Sequence, residues 1–215
     1  LYVFILLLTS CVDHHVEEPD LSDYPEAIAA IINNKCATAG CHNDISYANA
    51  GGIDLSTWGR LFDGGRSGSS VIPYSTDYSF LLYFVNTDST RGPALLPTMP
   101  IGDASLSEYQ ALYDWIQSGA PNKNGTVRYP PRAERKKIYT CMQGCDQVAV
   151  IDAESNNIMA YVSVGNDPGL IEAPHMIRVS PDGLYWYAVF YSGNVVQKFS
   201  TLDDRLLGTA QIGPA

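Results

Sequence analysis

Basic residues are scarce in this chain. There are 13 Lys and Arg against 23 Asp and Glu in 215 residues, a net charge of −10. Nucleic-acid phosphates are held by Lys and Arg, so such a balance argues against a nucleic-acid partner. It suits a protein partner that presents a basic docking face. The long apolar run that a bilayer span needs, about 20 residues, is missing. The longest, Leu1 to Leu8, has 8. Cysteine and histidine are few, at 5 and 4. That leaves little from which to build a four-ligand zinc site.

The charge is uneven. Residues 1–129 hold 14 acids and 6 bases, and residues 130–215 hold 9 and 7. Two regions of different chemistry are expected. The chain does not start with Met and stops at Gly213-Pro214-Ala215, so both ends read as cut from a longer protein.

Residues 1–8 suit the apolar core of a secretory signal. Leu8-Thr9-Ser10-Cys11 follows and resembles the bacterial lipobox, in which the Cys receives lipid. This predicts a signal and lipidation site over 1–11, with Cys11 modified, and a polar tether over 12–22. The membrane is then reached through a lipid anchor, and the protein resides in the bacterial cell envelope, periplasmic or on the outer surface. A buried N-terminal strand is the plainer alternative.

A helix is predicted after Asp23, which can cap it, with Pro25 in the first turn and Ile28, Ile31 and Ile32 on one face. It runs into Cys36. Residues 51–70 are rich in Gly and Ser and read as loops with short helical pieces. Ser105-Leu106-Ser107-Glu108 is a capping box. It opens a helix whose stripe is Leu106, Tyr109, Leu112, Tyr113 and Ile116, ended by Gly119. A linker spans 122–135.

The densest chemistry lies in Cys36-Ala37-Thr38-Ala39-Gly40-Cys41-His42. Two thiols followed at once by His are the parts of a covalent haem-attachment segment, whose usual form is C-x-x-C-H. Here four residues separate the thiols. A disulfide, part of a zinc site and an incidental pair are the competing readings. A sixth ligand for iron would be Met99, 57 residues on, in Leu95-Leu96-Pro97-Thr98-Met99-Pro100. Met with His raises a haem's potential, and Pro100 restricts Met99 to extended backbone. His14 and His15 are competing ligands.

In order along the chain, the Cys-His segment, Gly52-Ile53-Asp54-Leu55-Ser56, the glycines from Gly64 to Gly68, the Met99-Pro100 loop and Trp115–Pro121 resemble the c-type cytochrome family. The resemblance implies a mainly α cytochrome c-like domain over 23–121. It implies haem c bound covalently through Cys36 and Cys41, with His42 and Met99 as axial iron ligands. Trp58, Arg60 and Arg66 are candidates to reach haem propionates. Its partner would be a redox protein.

From residue 136 the hydrophobic period becomes that of strands. Tyr139 matches Tyr187, Val148 matches Val196 and Gly165 matches Gly213, all at a spacing of 48. Such a period marks a propeller blade. Val148–Asp152, Val164-Gly165 and Pro174–Gly183 resemble envelope propellers of the YVTN-repeat type. The expected architecture is therefore multidomain, with the mainly α domain followed by an all-β propeller fragment over 136–215. Cys141 and Cys145 read as a hairpin disulfide, with free thiols and a metal site as the alternatives. His175 reads as structural, with copper as the alternative.

The function expected is a lipid-anchored electron carrier rather than an enzyme. An oxidoreductase site is left open for the propeller beyond Ala215. The alternative is a non-redox surface binding protein with a disulfide-stapled helical domain and a propeller for protein or polymer binding.

Overall fold

The computed structural model describes residues 22–102 and 104–213. The expectations on Cys11, His14 and His15 lie outside the described residues.

The first region, to residue 121, is built from short pieces. Helix α1 spans Glu26–Ile31 and passes into a π-type turn, Ile32–Cys36. Then come α2 (Trp58–Leu61), α3 (Phe80–Val85) and α4 (Leu106–Gln117), of which only α4 reaches 12 residues. Loops and 3-10 turns carry the remainder. Among the described residues, helix is about 22% and strand about 23%. The mainly α domain followed by a propeller fragment is therefore corrected to a mixed fold with four short helices and two antiparallel sheets. The physical reason lies in the two long loop stretches. Gly and Ser between 51 and 70, and Pro93, Pro97 and Pro100, break helical propagation, so apolar residues there pack from turns.

The ends of α4 follow local chemistry. Ser105 accepts from the Glu108 amide while the Glu108 carboxylate accepts from Ser105, as a capping box requires. Gly119, with φ +101°, turns the chain back; a Cβ there would lie 2.6 Å from the Tyr74 ring. The start of α1 differs from expectation. Asp23 sits at φ +64° and does not cap. Its carboxylate instead accepts from Asn122 Nδ2 at 2.9 Å and pairs with Lys123. A tertiary partner has outcompeted the cap.

One core forms where Ile28, Ile31 and Ile32 meet Leu112, Trp115 and Ile116 of α4, with Leu55, Trp58, Leu61 and Phe62 beside them. Each such side chain stabilises by roughly 1.5–3 kcal/mol when fully buried. Two indole N–H groups inside it are satisfied by carbonyls, Trp58 on Ala120 and Trp115 on Pro121, both at 2.8 Å.

The second region holds the sheets β1-β2-β3 (Lys137–Met142, Gln147–Asp152, Ile158–Ser163) and β4-β5-β6-β7 (Pro174–Val179, Tyr185–Phe190, Val195–Ser200, Leu206–Gln211). Strands β1–β3 recur as β5–β7 at the spacing of 48. The sheets meet face to face, with Val148 against Trp186, Ala188, Phe190 and Phe199. Trp186 stacks on Phe199 with centroids 3.9 Å apart. Repeat partners do not share an environment. Val148 is buried, whereas Val195, Gln197 and Phe199 are the buried positions of β6, which puts Val196 on the opposite face.

The two regions are tied at one seam. Asn157 Nδ2 donates to the carbonyls of Phe62 and Asp63, and Ser69 Oγ accepts from the Ile158 amide. Tyr78 lies against Tyr161, with ring centroids 4.3 Å apart.

Candidate functional site

The π-type turn ends on Cys36, and its wide hydrogen bond from the Ala37 amide to the Ile32 carbonyl (2.8 Å) presses Cys36 against the first core. Burial pushes the Cys36 thiol up to about 11, with the Cys41 thiol close enough to add to the effect. The four residues between the thiols do not splay. The Cys41 amide donates to Thr38, and the His42 amide donates to the Cys36 carbonyl at 3.0 Å, closing a compact loop from 36 to 42. Gly40, at φ +81°, makes the bend.

His42 is held on both sides by the segment that follows. Its carbonyl accepts from the Leu55 amide at 2.8 Å. Its ring Nδ1 lies 3.1 Å from the Ile53 carbonyl. A carbonyl only accepts, so Nδ1 is the donor here, and in the neutral ring Nε2 is the nitrogen that carries the lone pair. Metal-ligating histidines are commonly oriented in this way. Ser46 Oγ donates to the Cys41 carbonyl at 2.7 Å and fixes the other flank.

Met99 is half-buried in its loop, and its amide donates to the Phe84 carbonyl at 2.8 Å. The loop leads into α4, whose first turn reaches the Cys36 region: Lys35 Nζ lies 2.7 Å from Glu108 Oε2. Met99 is six residues before Ser105, a span of at most about 20 Å. Among the described residues, Met99 makes no hydrogen bond to the 36–42 loop. Three apolar side chains on these loops face solvent: Ile45 is 86% exposed, Leu96 86% and Ile101 97%.

The remaining candidates have other partners. Trp58 is buried in the core. Arg60 sits near Asp54 and Asp63, and Arg66 donates to the Ala48 carbonyl. Cys36, Cys41, Cys141 and Cys145 each carry a free thiol in this structure. His175 Nδ1 faces Gln143 at 2.8 Å. Among the described residues no three His, Cys, Asp or Glu side chains group to hold a metal ion, and no helix is long and apolar enough to cross a membrane.

The donor set fits a c-type haem: two neighbouring thiols, an imidazole with Nε2 available, and apolar side chains at the loop surfaces. Sequence reasoning missed the Ile53 carbonyl and the Lys35–Glu108 pair. A main-chain acceptor leaves no mark in side-chain identity, and the pair spans 73 residues.

No family model matches the chain. No curated protein matches it either. Among solved structures, hydrazine synthase of Kuenenia stuttgartiensis aligns at 20% identity and TM-score 0.31, over 44% of this chain and 24% of that one. Dihydro-heme d1 dehydrogenase NirN in complex with DHE aligns at 15% identity and TM-score 0.32, over 87% and 39%. The chain thus spans well under half the length of either, and alignments at this score do not assign a fold.

Proposed function

We propose that this chain carries a covalently attached haem c and serves in electron transfer. The observation that supports this most is His42 Nδ1 directed at the Ile53 carbonyl beside two free thiols. Cys36 and Cys41 would be the residues that hold the haem covalently. His42, through Nε2, and Met99, through its sulfur, would be the residues that hold its iron. When bound, haem supplies the one-electron change between ferric and ferrous iron. The chain does the remainder. The Ile53 carbonyl holds the imidazole proton, the Leu55 amide holds the His42 backbone, and Ile45, Leu96 and Ile101 would lose exposed apolar area. The excess of acid favours a redox partner with a basic face. Anchoring through Cys11 in a bacterial envelope belongs to the same reading.

The test is a spectrum. The chain is expressed in a strain that matures c-type cytochromes and extracted with acid–acetone. A Soret band that stays with the polypeptide is expected. A colourless protein would sink the proposal and leave a non-redox surface protein in its place. Colour removed completely by extraction would refute the thioether bonds.

A further inference from the structure

A second site lies away from the thiols, where the 126–135 segment crosses the seam between the two regions. A cleft of about 370 Å³ opens there, lined by Trp58, Arg128, Tyr129, Arg132, Arg135 and the turn after β2. Its volume is within the range of small-molecule pockets. Three arginines converge in a chain whose net charge is −10.

Arg135 is the informative residue. Its side chain is only 10% exposed. Nη1 donates to Asp152 Oδ1 at 2.8 Å, while the buried Nε has no hydrogen-bond partner. Nη1 lies on the far side of the guanidinium from the Nε–H, so Asp152 leaves that edge unengaged. An unsatisfied buried donor costs about 1–3 kcal/mol, and a native structure seldom leaves one without reason. Asp152 cannot serve the other arginines, because its second oxygen accepts from the Ser155 amide and hydroxyl. Exposed Glu154 is the one other carboxylate on the lining. The Tyr129 ring has Arg128 and Arg135 each 5.4 Å from its centroid, and Trp58 supplies a second aromatic wall.

We infer that this cleft binds a small flat-ring molecule bearing an oxyanion, a carboxylate or a phosphate. The guanidinium groups of Arg132, Arg128 and Arg135 take its oxygens, and its ring lies along Tyr129 and Trp58. Charge-assisted bonds from arginine suit such a group. The inference does not depend on haem attachment.

The experiment is calorimetric titration of the purified chain with benzoate, phenyl phosphate and neutral benzamide, with tryptophan emission followed in parallel. Benzoate or phenyl phosphate is expected to bind, the tighter of the two naming the oxyanion, and benzamide at least tenfold more weakly. Emission should change on binding and lose that change in Trp58→Phe. Because Arg135→Gln breaks a buried ion pair and is at risk of misfolding, the deciding variant is Arg132→Gln with Arg128→Gln. That double variant should weaken binding at least tenfold with its thermal unfolding unchanged. No binding of either anion, equal binding of benzamide, or an unaltered affinity in the double variant would each overturn the site.

Discussion

The seam between the two regions rests heavily on Asn157, which makes Asn157→Ala the sharpest test of the architecture. Asn157 is 7% exposed and its Nδ2 donates to Phe62 O at 3.1 Å and Asp63 O at 2.9 Å. Phe62 is 3% exposed, so its carbonyl would be left dry and unpaired. That omission costs roughly 1–3 kcal/mol. The Asp63 side chain is 55% exposed, and water can replace the lost donor there at little cost. The total is about 2 kcal/mol. With a urea m-value of about 3 kcal/mol/M, the upper end of the range for small proteins, the midpoint should fall by roughly 0.7 M. Asn157→Asp separates this account from simple loss of packing. It keeps the shape but turns an oxygen towards two carbonyl oxygens, so it should cost more than Ala. Urea unfolding followed by far-UV circular dichroism reads both. If the Ala midpoint moves by less than about 0.2 M, or Asp proves milder than Ala, the seam is not held in this way.

Met99→Ala in the haem-loaded protein should admit cyanide far more readily and lower the midpoint potential, because a thioether favours ferrous iron; unchanged cyanide binding and potential would reject Met99 as ligand. Glu108 is held down to about 2 by Lys35 and by its bonds with Ser105. A lowered carboxylate pKa stabilises the fold above its unfolded value near 4.5, and the benefit is lost as pH falls towards 2. After screening it amounts to about 1 kcal/mol, so Glu108→Gln should flatten the stability–pH curve between those values, and an identical curve would contradict the pairing. Asp204 receives Lys137, the Tyr139 hydroxyl and the Trp186 indole, and Lys137 is 6% exposed. Asp204→Asn keeps the backbone at φ +57° but removes the counter-charge of a buried ammonium that still donates to the Thr201 and Leu202 carbonyls, so thermal unfolding should reveal a loss of about 3 kcal/mol, partly regained with Lys137→Met.

What could be read from the sequence was what local chemistry decides. The Ser105–Glu108 box and Gly119 bound α4 because capping needs only neighbours. The apolar runs at 147–152 and 158–164 read as strands and form β2 and β3, and the spacing of 48 recurs strand for strand. The share of helix was misjudged because the helix signals around Ile28 and Leu112 were extended over stretches where Gly and Pro prevent propagation. Asp23 failed as a cap because Asn122, 99 residues away, took its carboxylate. The candidate site shows the same division. Cys36, Cys41 and His42 are adjacent in sequence and the chain closes a loop around them, so their proximity was legible. The acceptor that orients His42 is a main-chain oxygen on Ile53, and any side chain at 53 would present it. The arginine cleft was illegible for a further reason. Arg132 and Arg135 stand beside Lys136 and Lys137 at the end of a linker, and such a run of basic residues is usually a solvated surface. Only the fold, by setting Asp152 against one edge of Arg135 and burying the other, turns part of that cluster into a donor that lacks an acceptor.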